Sequence, residues 1–224
     1  GQHTRLKAGV YLLKPGDSLW RVMRTISRGL ALQEAVTLIE GWTFQQVLAA
    51  LHAHPGIRRE LSSDPLLAER ELINHLREQG VVLSHVEGWI FPDTYLFDRA
   101  SSDRMLLLRS VRLQVRAIEA AWQTRSANST LNSAEELLAL ASMVEKETQV
   151  EMDRPKVSAV FHNRLRIGMP LQSDPTVIYA LGSRFDGNLR RADLKFKFPF
   201  NTYVVRGLPP HPIANPGRAA ILAA

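Results

Sequence analysis

The stretch Ser133-Ala134-Glu135-Glu136-Leu137-Leu138-Ala139-Leu140-Ala141-Ser142-Met143-Val144-Glu145-Lys146-Glu147-Thr148 sets the reading of the chain. Ser133 and Glu136 form an S-x-x-E capping box, which starts a helix. At about 100° per residue, Leu137, Ala141 and Val144 share one face, flanked by Leu138 and Leu140. Glu145 falls inside that face, roughly 60° from its centre, while Lys146 points away and Glu147 sits at the edge. Residues two apart differ by about 200°, so Glu145 and Glu147 do not face one cleft. A carboxylate turned toward apolar surroundings loses hydration, and such groups stay protonated near neutral pH and serve as general acids. The same geometry also fits a core-edge Glu paired with an Arg.

Working outward, a helix over 155–167 opens at Pro155 and stops before Gly168. Arg164 projects into its apolar stripe of Val157, Val160, Phe161 and Leu165 and needs a carboxylate or carbonyls; Glu147 and Asp174 are the candidates. Asp174-Pro175 starts a short helix closed by Gly182, with Asp174 as a possible N-cap. Residues 198–217 hold Pro199, Pro209, Pro210, Pro212 and Pro216, too many for regular structure. Upstream, helices are expected over 105–123, 66–79 and 43–52, and strands over 36–39 and 10–13. Lys14-Pro15-Gly16-Asp17 is a turn, and Ser18 caps a helix carrying Leu19, Val22, Met23 and Ile26 that Gly29 stops. Punctuation around Pro55-Gly56 and Ser62-Ser63-Asp64-Pro65 places a boundary near Gly80. The expected fold class is α+β: a small α+β unit over 1–80, then a helix-rich domain over 81–224 with a Pro-rich cleft segment.

The 224 residues carry 28 Lys and Arg against 22 Asp and Glu, a net charge of +6. An acidic disordered chain is excluded, and an anionic partner fits: nucleic acid, membrane surface or anionic polymer. The absence of cysteine removes thiolate chemistry and disulfides. His52 and His54 lack the spacing of a metal-ligand set such as H-E-x-x-H, so no metal and no cofactor are expected. Lys and Arg are dispersed and no recognition motif appears, so nucleic acid is not the expected partner.

Five stretches, in order along the chain, resemble the endolytic murein transglycosylase (YceG-like) family. They are Glu87-Gly88-Trp89 with Phe91-Pro92-Asp93-Thr94-Tyr95, then Ala141 through Thr148, then Val160-Phe161-His162-Asn163-Arg164-Leu165. Met169-Pro170-Leu171-Gln172-Ser173-Asp174-Pro175-Thr176-Val177-Ile178-Tyr179 follows. The last is Asn201-Thr202-Tyr203 with Gly207-Leu208-Pro209-Pro210 and Ile213-Ala214-Asn215-Pro216-Gly217. Tyr11-Leu12-Leu13-Lys14-Pro15-Gly16-Asp17-Ser18-Leu19-Trp20 resembles the opening of a LysM-like glycan-binding module. Without that module, the segment would be a packing unit with Trp20 in its core.

The resemblance implies a lytic transglycosylase. Such enzymes cut the MurNAc–GlcNAc bond inside peptidoglycan strands and leave 1,6-anhydro-MurNAc ends, terminating or trimming nascent strands. It implies Glu145 as the catalytic acid, and then as base on the sugar's own C6 hydroxyl, so no second catalytic carboxylate is needed; ordinary glycosidases use two. Gln172, Asn201 and Tyr203 would bond sugar hydroxyls or N-acetyl groups. Trp89, Tyr95 and Tyr203 would stack on sugar rings, with core packing as the other reading. Glu147, Arg164 and Asp174 would support the site, Glu147 by holding Arg164. On this reading Glu145→Gln costs activity and little stability.

The implied partners are peptidoglycan glycan strands and cell-wall synthases. The implied place is the cell envelope: a single-pass bacterial inner-membrane protein with this domain on the periplasmic or extracellular face. Family members usually begin with a membrane helix and continue past the Pro-rich segment into a strand-rich stretch; neither is in this chain. A non-catalytic peptidoglycan-binding scaffold is the alternative, and a basic nucleic-acid-binding module is a further one.

Overall fold

The computed structural model describes residues 11–28, 33–99 and 101–224. Val10 and Gly29, one end of an expected strand and of an expected helix, lie outside them. The elements are α1 (Leu19–Arg28), β1 (Gln33–Thr37), α2 (Phe44–Ala53), α3 (Pro65–Glu78), β2 (Thr94–Asp98) and α4 (Asp103–Gln123). Then come α5 (Ala134–Glu147), α6 (Arg154–Arg166), α7 (Asp174–Leu181) and α8 (Arg218–Ala223). Helix-rich with a two-stranded sheet, the chain is α+β.

Local signals account for most boundaries. Thr43 and Gln46 form a reciprocal capping box at α2. Asp64 caps α3 through the backbone N–H groups of Leu66 and Leu67, with Pro65 in the first turn. Ser133 accepts from the Glu136 N–H at α5, but the Glu136 carboxylate reaches back to the Asn132 N–H, so only half of the expected box forms.

β1 and β2 pair antiparallel, Gln33 opposite Asp98 through Thr37 opposite Thr94. β2 alternates, burying Tyr95 and Phe97 while Leu96 faces out, a period-2 pattern that marks a half-buried strand. The first strand lies at Gln33–Thr37 rather than 36–39, because its register is fixed by β2, which comes some sixty residues later. Residues 11–13 form no regular structure, so the strand expected there is absent among the described residues.

Gly80 does not divide the packing. One core runs from Val36 to Val111 and holds faces of α2, α3, β2 and the start of α4. The sheet itself pairs a strand from before Gly80 with one from after it. The second core gathers Trp89, Ile118, Leu131, the apolar residues of α5, Phe161, Leu171, Ile213 and Ile221. α4 spans both cores, so the change of core falls along α4. α1 contributes no buried residue, and Trp20 is 70% exposed with Arg24 over its ring, so it is not a core residue.

Asp103, fully buried at the start of α4, ties the first core together. Its carboxylate accepts from the backbone N–H groups of Glu60 (3.0 Å) and Leu61 (3.3 Å) and lies 2.8 Å from His52 Nε2. His54 is likewise occupied: its Nδ1 accepts from the Gly56 N–H, and its ring packs edge-on to Phe97. Asp103→Ala strands several buried donors and should lower unfolding free energy by about 3 kcal/mol, read from the urea midpoint.

Candidate active site

Every residue of α5 from Leu137 to Glu145 is buried. A helix apolar on all sides lies within a bundle, and α4, α6, α7 and α8 surround it. Glu145 is therefore inside, as its place on the wheel predicts. Its surroundings are not apolar, however. Arg154 Nη2 donates to Oε1 at 3.1 Å, and the Gly217 N–H donates to Oε2 at 2.9 Å. Arg154 is itself buried and also lies 3.7 Å from Glu40. Burial, and then the Glu145 charge, hold the Glu40 carboxyl above its ordinary range.

This geometry does not fit the expectation that Glu145 is the proton donor. Its side chain is 4% exposed and both oxygens are filled from within the fold. It is the core Glu paired with an Arg, the other reading of the same helical position. Arg154 is the residue sequence reasoning missed: nine positions after Glu145 and on another helix, it has no helical-neighbour relation to it.

Glu147 emerges where α5 ends and is exposed. Its Oε1 accepts from Ser173 Oγ at 2.5 Å. Next to Ser173, Asp174 Oδ1 accepts from the Tyr203 hydroxyl at 2.5 Å. Burial first, and then Asp174, push the Tyr203 phenol up to about 12, with Glu147 adding to the rise and the Arg164 cation opposing it. Glu147, Ser173, Asp174, Tyr203 and Arg164 thus form one polar cluster. Arg164 does not pair with Glu147, since its guanidinium donates to the Leu171 carbonyl and holds the chain before Gln172. Asp174 is not the N-cap of α7; Ser173 occupies that position.

Gln172 has φ +52°, the one non-glycine residue in the left-handed region among those described. Such backbone is uncommon for a residue with a side chain and concentrates at functional sites. It is held by bonds from the Gln172 N–H to the Thr202 carbonyl and from the Ser173 N–H to Thr202 Oγ1. Gln172 is exposed beside the Ser173–Asp174 pair.

Three expected sugar contacts are occupied elsewhere. Asn201 is fully buried; its amide donates to the carbonyls of Asp193, Leu194 and Phe196, and its Oδ1 accepts the Tyr203 N–H. It shapes the loop that presents Tyr203. Trp89 is 7% exposed within the second core, and Tyr95 is 1% exposed with its hydroxyl on the Phe91 carbonyl, so neither ring has a face free for a sugar.

A cleft of about 1000 Å³ opens beside the cluster. Lys146 and Pro175, chain neighbours of Glu147 and Asp174, line it, as do Phe198, Phe200, His211 and Ile213 of the Pro-rich segment. That segment is fixed to the core: the Ile213 N–H donates to Ser142 Oγ, and Asn215 bonds Trp42, Gly41 and Ile90. A Cβ at Gly217 would meet the Glu40 carboxylate, so a side chain there requires Glu40 to swing aside.

Glu87, also in the lining, is 7% exposed. It accepts from the Phe44 N–H at the start of α2 (3.0 Å) and from the Tyr179 hydroxyl (3.4 Å). Burial pushes its carboxyl up to about 7, against 4.5 ordinarily. Its place among Val86, Gly88 and Trp89 was a sequence signal for a buried acid.

Three outcomes are expected. Glu145→Gln weakens the hold on a buried guanidinium and should lower stability by about 3 kcal/mol. Glu147→Gln, at an exposed position, should change it by no more than about 0.5 kcal/mol in the same denaturation assay. Glu87 binds its proton more tightly folded than unfolded, so it withdraws stability as pH rises from about 4.5 through about 7. Glu87→Gln should therefore gain on the parent by up to roughly 3 kcal/mol between pH 5 and pH 8.

The model of the YceG-like family matches residues 1–224. The endolytic murein transglycosylase of Bacillus subtilis (strain 168) is 32% identical over 96% of this chain and 62% of the relative. That of Streptococcus pneumoniae serotype 2 is 29% identical over 98% of this chain and 44% of the relative. This chain thus spans about three fifths of the first relative's length and under half of the second's. The crystal structure of a putative YceG-like protein from Listeria monocytogenes superposes with a TM-score of 0.70 at 28% identity, covering 98% of this chain and 75% of that one. The chain belongs to the YceG-like family.

Proposed function

We propose that this chain carries the glycan-cleaving site of an endolytic murein transglycosylase, with Glu147 as its proton donor. The observation that carries the assignment is the contrast within one Glu-Lys-Glu triplet: Glu145 has both oxygens filled by Arg154 and Gly217, while Glu147 is exposed in a polar cluster. A general acid must reach the atom it protonates. Glu147 protonates the leaving glycosidic oxygen as the C1–O bond breaks. The sugar's C6 oxygen then bonds to C1 and gives its proton to Glu147, so a 1,6-anhydro ring forms without water.

The neighbours support this. Ser173 orients the Glu147 carboxyl through one oxygen. Tyr203, fixed by Asp174, and the exposed Gln172 offer polar groups to sugar hydroxyls and N-acetyl groups. Arg164 braces the carbonyl at Leu171 and so the turn that carries Gln172. The substrate is peptidoglycan, which locates the chain in the cell envelope, with strand termination or trimming and contact with synthases as its setting. The front segment retains a LysM-like role within this proposal, since Trp20 is open to a sugar ring.

The experiment is mass spectrometry of products from purified sacculi. The parent should release fragments with anhydro ends. Glu147→Gln should be slower by about 10²- to 10⁴-fold at unchanged thermal midpoint. Full cleavage by Glu147→Gln overturns the acid assignment, reducing ends indicate a hydrolase, and absence of cleavage by the parent favours a binding scaffold.

A further inference from the structure

The large cleft has a wall built of rings. Tyr179 and Phe200 lie 5.1 Å apart, Phe200 and His211 4.6 Å, and His211 and His85 4.6 Å between centroids. All four are half-buried and line the cleft. Its opposite side comes from the first turns of α2 and α3, where Gln45 and Leu66 are exposed. Glu87 lies between, anchored to both sides by the Phe44 N–H and the Tyr179 hydroxyl. The cleft therefore joins the two cores.

We propose that this cleft is a carbohydrate subsite separate from the Glu147 cluster, holding a neighbouring sugar of the same strand. The inference rests on the peptidoglycan reading above. A pyranose presents apolar C–H faces, which suit an aromatic wall, and hydroxyl and N-acetyl groups, which suit a few convergent polar side chains. Lys146 is the one Lys or Arg in the lining and stands against Glu69, which leaves no basic patch for a polyphosphate such as nucleic acid. Cleavage inside a strand requires grip on sugars away from the broken bond, because binding energy from remote units positions the reacting one. The cleft shares its rim with the cluster through Lys146 and Pro175, so one strand can cross both.

The test uses the Glu147→Gln chain, which leaves the cleft intact, and chitotetraose as a peptide-free β-1,4-linked probe, measured by calorimetry. Gln45→Trp and Leu66→Trp fill the mouth from exposed positions and should not disturb folding. His211→Ala removes one ring of the wall. Each should weaken binding about tenfold or more, the equivalent of about 1.4 kcal/mol. Trp122→Ala, outside the cleft, should leave it unchanged. Unchanged affinity in the filled and the shortened variants overturns the subsite, as does the absence of binding to Glu147→Gln itself. These outcomes are independent of the acid assignment. A Glu147→Gln chain that still cleaves sacculi removes the acid but not the subsite, and normal tetraose binding by the filled variants removes the subsite but not the acid.

Discussion

The structure depends on the burial of α5 on all sides. Nine consecutive side chains, Leu137 to Glu145, have no access to solvent of any consequence. A helix in that position fixes the placement of α4, α6, α7 and α8 around it. It also imposes a local requirement, because the last buried residue is an acid. A buried carboxylate without partners is costly, so Arg154 and the Gly217 N–H are drawn to it. The residue at which the helix reaches solvent is then Glu147.

The same helix organises the Pro-rich segment. Prolines stiffen the chain but donate no backbone hydrogen bonds, so the segment must be held by side chains. Ser142 accepts the Ile213 N–H, Glu145 accepts the Gly217 N–H, and Asn215 bonds the Trp42 carbonyl and the Ile90 N–H. Buried polar groups are satisfied here by pairing distant stretches, from Trp42 through Ile90 to Gly217. This stitching brings Phe198, Phe200 and His211 into position as one wall of the cleft.

Polar groups in the cleft wall are set apart by burial. Glu87 takes its proton up to about 7, whereas burial and the neighbouring His211 take the His85 ring down to about 4. Both favour the neutral form of the side chain around neutral pH, as desolvation requires. The cluster in which exposed Glu147 and Asp174 meet buried Ser173 and half-buried Tyr203 is a different environment, at the edge of solvent and bound together by short hydrogen bonds.

The sequence by itself determined what local chemistry controls. The caps at Ser18 and Ser133, the Pro–Gly signals around α6 and α7, and the apolar spacing of α4 and α5 depend only on nearby residues. So did the inward position of Glu145 and the grouping of Gln172, Asp174 and Tyr203 into family-like stretches. What only the tertiary structure decided were the pairings across long separations. β1 takes its register from β2, Glu145 meets Arg154 and Gly217, and Asn201 is committed to its own loop. A helical wheel states which way a side chain points, not what it meets. Whether an inward glutamate is an acid poised for chemistry or half of an ion pair depends on the charge brought against it. In this chain that charge arrives on another helix, so the fold, rather than the periodicity, separates Glu145 from Glu147.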